Sequence, residues 1–304
     1  MILCCGEALI DMLPRETAAG ENAFAPYAGG SVFNTAIALG RLGAPAGFLS
    51  GLSTDLFGQI LDATLAASNV DASLAIRSDR PTTLAFVKLT GGQAEYAFYD
   101  ENTAGRMITP ADLPALPAEI DALFFGGISL PPDPCGATYE ALMLREAPTR
   151  VTMIDPNIRP GFITDEAAYR ARIGRMMGAA DIIKSSDEDL AWLGLDARAL
   201  VAGGAKLVCL TEGSKGVTAY WPGGETFVAA KKVAVVDTVG AGDTFSAGLL
   251  AGLHKGGLLT KPALAALTEA QLVPALELGV AAAAVTVSRA GANPPWAHEL
   301  AQDL

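Results

Sequence analysis

Short apolar segments alternate with segments of helical periodicity along most of the chain. Strands are predicted at short, mostly apolar segments, at residues 2–5, 48–52, 122–125, 151–154, 181–184 and 207–210. Helices are predicted between them, at residues 31–42, 55–67, 135–145, 166–177 and 187–193. Repeated strand–helix units imply an α/β fold with a mostly parallel sheet that binds ligands at the carboxyl ends of its strands.

A different pattern interrupts this alternation at residues 82–100. Two β-rich runs flank a glycine pair at residues 91–92, which predicts a hairpin, and no helix separates the two runs. Tyr96 and Phe98 recur with the period of two that is typical of a half-buried sheet. We therefore expect this hairpin to lie outside the main strand–helix pattern.

The length and composition set the scale of the fold. A single large α/β domain over residues 1–304 is favoured, although length alone would also permit two domains. The formal charge is −12, from 21 basic and 33 acidic residues, which argues against a nucleic-acid-binding surface. This overall field would also repel an anionic ligand, so local N–H groups, basic residues or a metal ion would have to attract it.

No stretch of the sequence predicts a membrane or secreted protein. No uninterrupted apolar run approaches the length of a membrane-spanning helix, and the first residues lack the basic region of a signal peptide. The four cysteines include no Cys-x-x-Cys pair, and the two histidines lie far apart in sequence. Buried free thiols are therefore favoured over disulfides or zinc ligands, as expected for a cytoplasmic protein.

Residues 236–248 carry the strongest candidate chemistry. They follow an apolar run at 233–236 that predicts a strand, and they lead through a glycine turn into a helix predicted at 245–253. Gly240 and Gly242 let the backbone approach a ligand, and the N–H groups of a helix start suit a phosphate. The carboxylate of Asp243 would repel a phosphate there, so its presence needs a chemical reason. Taking a proton from a hydroxyl group that attacks the phosphate is such a reason. The alternative is that Asp243 only caps the helix.

Three features near the start of the chain predict a second part of the site. Asp11 follows the first strand and would lie at the rim of the sheet, although a solvated loop acid is equally compatible with the sequence. Ser31 is predicted to cap the helix that follows Gly29 and Gly30. Asn34 lies in the first turn of that helix, where its amide needs either a ligand hydroxyl or a local capping contact.

Two further polar groups follow predicted strands. Arg159, in the string Asp-Pro-Asn-Ile-Arg, could bind a carboxylate or phosphate with two hydrogen bonds, or form a surface ion pair with Asp165. Thr211, Gly213 and Gly216 form a glycine turn of a composition that is common in proteins.

The string from Asp237 to Phe245 resembles, residue for residue, the second signature of the ribokinase-like (PfkB) carbohydrate kinase family, Asp-Thr-x-Gly-Ala-Gly-Asp-x-Phe. Residues 28–36 resemble the first signature of that family, and the motifs follow the family's order along nearly the whole chain. The resemblance implies a ribokinase-like three-layer sandwich with a mostly parallel central sheet. It also implies a small β-lid, with strands from residues 12–28 and 82–100.

The resemblance implies an ATP-dependent sugar kinase that phosphorylates a primary hydroxyl group. Asp243 would be the general base, and Gly240, Ala241 and Gly242 would form the anion hole. Sugar contacts would come from Asp11, Gly29, Gly30, Asn34, Tyr96, Phe98 and Arg159. Nucleotide contacts would come from Lys184, Ser186, Thr211, Gly213, Gly216, Gly240 and Gly242.

The resemblance also implies cations in the site. Asp189 would hold Mg²⁺, although Ser186 and Asp189 stand where the family has Asn and Glu, and Ser186 is equally suited to cap a helix. Asp237 and Thr238 match positions that bind a monovalent cation such as K⁺ in many members.

Several local strings are most like the fructokinase branch, which implies conversion of fructose to fructose 6-phosphate. The same strings partly fit 2-keto-3-deoxygluconate kinase, and another sugar or nucleoside kinase is a further alternative. A non-catalytic sugar-binding regulator is the alternative from a different class, which the intact Asp243 and glycine turn disfavour. A free lid edge would allow a homodimer to form through the lid.

Overall fold

The computed structural model describes residues 1–90 and 93–300, and it describes their side chains except at residues 88–96. The predicted glycine turn at residues 91–92 lies outside the described residues. The strands are β1 (Ile2–Cys5), β2 (Leu9–Glu16), β3 (Asn22–Gly29), β4 (Ala46–Leu49), β5 (Gly51–Ser53), β6 (Val70–Asp71), β7 (Ile76–Ser78), β8 (Leu84–Thr90), β9 (Gln93–Tyr99), β10 (Ala122–Gly126), β11 (Val151–Asp155), β12 (Ile182–Ser186), β13 (Leu207–Thr211), β14 (Gly216–Trp221) and β15 (Gly224–Ala229). The helices are α1 (Ser31–Arg41), α2 (Leu56–Ala67), α3 (Cys135–Glu146), α4 (Glu166–Ala179), α5 (Asp187–Leu193), α6 (Ala197–Ala202), α7 (Ala241–Lys255), α8 (Lys261–Ala265), α9 (Glu269–Val287) and α10 (Ala297–Leu300).

A nine-stranded sheet forms the centre of the fold, in the order β15-β14-β13-β12-β11-β10-β1-β4-β6. The strands from β13 to β6 in this order pair in parallel, and the β14–β15 hairpin adds an antiparallel edge. The parallel strands are almost fully buried, because helices cover both faces of such a sheet. The α/β fold and the mostly parallel sheet are therefore confirmed.

Alternate residues of each central strand belong to opposite hydrophobic clusters. In β1, Ile2 and Cys4 pack with residues of α1, α7 and α9, whereas Leu3 and Cys5 pack with residues of α3 to α6. This alternation follows from the period of two along a strand. It produces helix, sheet and helix layers, as the sequence predicts, and all four cysteines are buried free thiols.

A separate four-stranded sheet runs in the order β3-β2-β8-β9. Its strands come from the two stretches that were expected to leave the main pattern, and β8 and β9 pair as an antiparallel hairpin. Phe86 makes edge-to-face contacts with Phe24 and with Tyr99 on one face of this sheet. The rings of Phe24 and Tyr99 are 48% and 62% exposed.

Two sequence predictions about local structure were wrong. Residues 233–236 were expected to form a strand, but the backbone at residues 230–239 is irregular, and the N–H groups of Val236 and Asp237 both donate to the Val287 carbonyl. A β-branched run forms a strand only beside a partner strand, and here Val233 and Val235 line a cavity instead. Ser31 is not the cap of α1, because the helix begins at Ser31 and Gly30 occupies the capping position.

One described helix, α9, is long and apolar enough to cross a membrane by length and composition. Half of its most apolar window is buried in the fold. It packs closely on α7, where a Cβ atom on Gly248 would lie 2.6 Å from the Cα atom of Gly279. Its apolar character therefore reflects its place in the core.

Candidate active site

The glycine turn before α7 brings main-chain N–H groups to the carboxyl edge of the sheet. Gly240 has a φ of 77°, which favours glycine, and a Cβ atom there would lie 2.8 Å from the Cβ atom of Ala292. The helix begins at Ala241, earlier than predicted, so Gly242 and Asp243 lie in its first turn. The Gly242 and Asp243 N–H groups have no partner within the helix and can bind an anion, whereas the Ala241 N–H group donates to the Thr238 carbonyl at 3.3 Å.

The Asp243 carboxylate is buried and contacts α1 rather than capping its own helix. Its Oδ1 atom accepts a hydrogen bond from the Ser31 hydroxyl at 2.6 Å, and its Oδ2 atom accepts one from Asn34 Nδ2 at 2.9 Å. Since Gly240 is the capping residue of α7, the alternative reading of Asp243 as a helix cap is wrong. Asn34 likewise binds Asp243 rather than a backbone group near it in sequence.

The environment of Asp243 raises the pKa of its carboxyl group. Burial is the main cause, because it disfavours the charged form. The hydrogen bonds from Ser31 and Asn34 and the positive charges of Lys184 and Arg159 act in the opposite direction and offset part of the rise. A carboxylate of raised basicity that remains hydrogen-bonded is suited to accept a proton.

Two residues that the sequence did not point to, Asn157 and Glu7, help to hold this carboxylate in place through Ser31. Asn157 donates from Nδ2 to the Ser31 oxygen at 2.8 Å. Glu7, at the end of β1, accepts hydrogen bonds from the N–H groups of Ser31 and Ser129. The only sequence signal for these residues is that each is a polar residue shortly after a predicted strand. Their partners lie far away in the chain, so no local pattern indicates the contacts.

Asp11 lies within β2 of the small sheet, opposite Tyr27 of β3, rather than at the end of a central strand where it was expected. A Cβ atom on Gly29 would lie 2.3 Å from its Oδ2 atom, so a larger residue at position 29 would displace this carboxylate from its present position. Burial raises the pKa of Asp11 to about 6. Asp11 is thus partly withdrawn from water, unlike the solvated acid of the alternative interpretation.

The remaining predicted sugar residues differ in placement. Phe98 contacts the ring of Phe162 edge to face, with 4.4 Å between the ring centroids, and so joins the small sheet to the loop after β11. Arg159 donates to the carbonyl of Ile158, and its charge acts on Asp243. The predicted alternative partner of Arg159, Asp165, instead caps α4. The side chain of Tyr96 lies outside the described residues.

A cavity of about 770 Å³ lies on the other side of the glycine turn. Six of the seven residues predicted to contact a nucleotide line it, namely Lys184, Ser186, Thr211, Gly213, Gly216 and Gly242, whereas Gly240 does not. Its remaining wall is largely apolar and includes Val233, Val235, Ala283 and Ala284. Position 216 requires glycine for two reasons. Its φ of 135° favours glycine, and a Cβ atom there would lie 2.2 Å from the Val228 carbonyl oxygen.

A buried ion pair lies directly beneath the turn. Lys184 Nζ is 2.8 Å from Asp155 Oδ2, and both side chains are almost completely buried. Burial disfavours the charged form of Lys184, but the charge and hydrogen bond of Asp155 outweigh it and raise the pKa of the lysine. Burial raises the pKa of Asp155 to about 6, against the opposing effect of Lys184. Lys184 therefore brings a fixed positive charge to the boundary of the cavity.

The predicted metal residues have their own protein partners. Ser186 caps α5 by accepting from the Asp189 N–H group, and Asp189 Oδ1 accepts from the Ile158 N–H group. Asp237 accepts from the N–H groups of Val239 and Gly291. In the described part of the chain, no group of three or more His, Cys, Asp and Glu side chains could hold a metal ion.

The site thus combines a buried carboxylate, an anion-binding helix start and a large cavity at one edge of a parallel sheet. Together they have the character of a phosphoryl-transfer enzyme. Residues 1–299 match the pfkB family of carbohydrate kinases. The chain belongs to this family.

Comparisons with individual proteins agree with this assignment. The chain is 60% identical over 278 residues to a fructokinase of Rhizobium leguminosarum bv. trifolii, covering 90% of this chain and 85% of that protein. It is 32% identical to the probable fructokinase-7 of Arabidopsis thaliana, covering 100% and 92% of the two chains. The crystal structure of fructokinase with bound ATP from Xylella fastidiosa gives a TM-score of 0.89 at 28% identity, covering 99% and 98%.

Proposed function

We propose that the chain transfers the γ-phosphoryl group of ATP to a primary hydroxyl group of fructose, yielding fructose 6-phosphate and ADP. The observation that carries the proposal is the position of the Asp243 carboxylate. It belongs to the first turn of α7, contacts the polar side chains of α1, and directly follows Gly242, which lines the large cavity. The 60% identity to a protein named fructokinase supports fructose over the alternative sugars.

In the proposed reaction, Asp243 accepts the proton of the sugar hydroxyl group. The resulting oxygen forms a bond to the γ-phosphorus atom, and the bond from that phosphorus atom to the bridging oxygen breaks to release ADP. The N–H groups of Gly240, Ala241 and Gly242 stabilise charge on the transferring phosphoryl oxygens. Lys184, directly beneath Gly242, adds a positive charge to this anion hole.

The sugar would bind between the small sheet and α1. Asp11 and Asn34 would form hydrogen bonds with its hydroxyl groups. Gly29 and Gly30 would let the sugar approach the backbone. Phe98 and Tyr96 would cover its apolar surface as part of a β-lid that excludes water from ATP. Arg159 would contribute its charge from the loop after β11.

The nucleotide would occupy the 770 Å³ cavity. Its apolar wall would accept adenine, while Thr211, Gly213 and Gly216 would lie near the ribose and phosphates. Mg²⁺ bound with ATP would neutralise the β- and γ-phosphate oxygens. It generally needs only one or two carboxylates, because it keeps several waters. The acidic first turn of α5 fits this requirement, since Asp187 and Glu188 line the cavity and Asp189 follows them.

Three further properties are part of the proposal. Asp237 and Thr238 would hold K⁺, since the Asp237 carboxylate already closes the loop between residue 239 and Gly291.

The protein would act in the cytoplasm, in keeping with its four free buried thiols. It would form a homodimer through the small sheet, whose exposed rings of Phe24 and Tyr99 would be covered.

The test is ADP release from Mg-ATP by the purified protein with fructose, 2-keto-3-deoxygluconate, ribose or adenosine, each with and without K⁺. We expect preferential turnover of fructose. Preference for the keto-acid sugar would overturn fructose as substrate, and Arg159→Ala should then raise its KM. Binding of a sugar without turnover of any would overturn the kinase assignment. Sedimentation that shows only monomer at micromolar concentration would overturn the dimer.

A further inference from the structure

The hydroxyl group of Ser31 lies between Asn157 and the candidate base. Asn157 Nδ2 is 2.8 Å from Ser31 Oγ, which in turn is 2.6 Å from Asp243 Oδ1. An amide nitrogen can only donate, so the Ser31 oxygen is the acceptor of the first bond. The single hydroxyl proton of Ser31 is therefore directed at the Asp243 carboxylate.

Contacts of its backbone also fix the position of Ser31. Its N–H group donates to Glu7 Oε1 at 2.9 Å, and its carbonyl accepts from the Thr35 hydroxyl at 3.0 Å. Glu7 belongs to the segment that follows β1, whereas Thr35 belongs to α1 itself. Ser31 is thus held by Glu7 after β1 and by Asn157 after β11, in addition to the bond within its own helix.

Asn157 has an unusual backbone conformation at the end of β11. Its φ of 44° lies in the left-handed region, which few residues other than glycine adopt. The adjacent Ile158 N–H group donates to Asp189, which helps to hold the loop. Asparagine adopts this conformation more readily than most residues other than glycine, so position 157 can combine this turn with an amide side chain.

We propose that Ser31 is a positioning residue that orients the Asp243 carboxylate and keeps it ionised, and that Asn157 orients the Ser31 hydroxyl for this task. The inference rests on the proposed role of Asp243 as the base. Ser31 does not react with the substrate. It acts by restricting the rotation of the carboxylate and by donating a hydrogen bond that is stronger to the charged form than to the neutral form.

Other charged groups also face Asp243. Lys184 on β12 and Arg159 after β11 favour its ionised form, whereas Glu7 after β1 and Asp155 on β11 interact unfavourably with it. Asn34 supplies the second hydrogen bond. Removing the Ser31 hydroxyl leaves all of these groups in place, so its own effect on the basicity of Asp243 can be isolated.

The decisive variant is Ser31→Ala, assayed for kcat and sugar KM as a function of pH. Loss of a hydrogen bond to the carboxylate should lower kcat about tenfold near neutral pH and move the acidic limb of the profile up by about one pH unit. Sugar KM should change less than kcat. Ser31→Thr, which keeps a hydroxyl group, should recover most of the activity, and Ser73→Ala on an exposed loop is the matched control.

Asn157 is tested with Asn157→Gly, because glycine retains the left-handed backbone while removing the amide. Since Asn157 acts through Ser31, the double variant with Ser31→Ala should be no slower than Ser31→Ala alone. Additive losses would overturn the role given to Asn157. Unchanged kcat and an unchanged pH profile for Ser31→Ala would overturn the role given to Ser31.

A direct titration separates this inference from the proposed function. The Asp243 carboxyl signal can be followed by ¹³C NMR in protein labelled at aspartate and assigned by its loss in Asp243→Asn. Ser31→Ala should raise the pKa of that signal whether or not fructose is the substrate. An unshifted signal overturns the inference even if the wild-type protein is an active fructokinase.

Discussion

The ammonium nitrogen of Lys184 lies 3.0 Å from the position that a Cβ atom on residue 242 would occupy. Lys184 is buried and bonded to Asp155, so it cannot move into solvent to make room for that atom. An alanine at position 242 would therefore force Lys184 on β12, or the turn itself, to shift by a few tenths of an ångström. The same closeness brings the charge of Lys184 to the proposed anion hole.

We predict that Gly242→Ala lowers kcat by about tenfold or more, because the added methyl group displaces Lys184 or the N–H groups of the turn. The KM for ATP should rise as well. Steady-state kinetics with both substrates measures the two effects. Gly174→Ala is the matched control, since nothing lies within 4 Å of a Cβ atom at that exposed helical position. Equal kinetics of the two variants would contradict the prediction.

Replacing Lys184 should destabilise the fold. Lys184→Met leaves the Asp155 carboxylate buried without a counter-charge, which typically costs about 3–5 kcal/mol. The pKa of Asp155 is already about 6 and would rise further without the charge of Lys184. In the variant, Asp155 is therefore neutral at low pH and carries its unpaired buried charge only at higher pH. Protonation relieves the penalty, so the loss should be larger at pH 8 than at pH 5.

Urea unfolding of Lys184→Met at the two pH values measures this loss. The double variant with Asp155→Asn should recover stability at pH 8, because no buried charge then remains. It should not recover the KM for ATP. A single variant as stable as the wild type at both pH values would show that Lys184 and Asp155 contribute little to the fold.

The sequence predicted the elements whose signal is local. Strand β1 has its predicted bounds because a fully buried strand is a plain apolar run. The glycine motif likewise indicated a turn before α7, since Gly240 adopts a conformation that suits glycine. The α/β fold with a mostly parallel sheet then followed from the repeated strand–helix pattern.

The part of the site that the sequence did not predict depends on distant contacts. Ser31 and Asp243 are separated by 212 positions, and the spacing of a helix cap gave Ser31 a different role. Asn157 adopts a left-handed backbone that asparagine tolerates, but the sequence does not indicate that its amide contacts Ser31, which lies 126 positions away. The roles of Asp11, Asn34 and Arg159 in sugar binding remain predictions, because they depend on how a sugar fits between the small sheet and α1.

The basicity of Asp243 predicts a pH dependence. The residue accepts a proton only when ionised, so kcat should fall as the pH drops through the pKa of Asp243. Burial raises that pKa, and the hydrogen bonds from Ser31 and Asn34 offset this only in part. The decline should therefore begin above the range of an ordinary aspartate, whose pKa is about 3.9.

This profile is measured as kcat at saturating fructose and ATP, with stability checked at each pH. Asp243→Asn should lower kcat by about 100-fold or more and remove the acidic limb from the residual activity. Near-normal turnover of Asp243→Asn would show that another group is the base. A flat wild-type profile down to pH 4 would contradict the raised pKa.

Asp11 should show a conflict between stability and sugar binding. Its pKa of about 6 exceeds the ordinary aspartate value, so folding disfavours its charged form. Above pH 6, Asp11→Asn should remove this penalty and stabilise the sugar-free protein by about 1–2 kcal/mol. Below about pH 4, where aspartate is protonated in both the folded and unfolded states, the gain should vanish.

The same substitution should weaken sugar binding, because an amide cannot accept hydrogen bonds with both of its terminal atoms. Urea unfolding at pH 7 and pH 4, with fructose KM determined in parallel, measures the two effects. Asp79→Asn, on an exposed loop, is the matched control. An Asp11→Asn variant that is less stable at pH 7 would show that the carboxylate is held favourably in the folded protein. An unchanged KM would show that Asp11 does not bind the sugar. The sugar would then have to be bound through Asn34 and the backbone of Gly29 and Gly30.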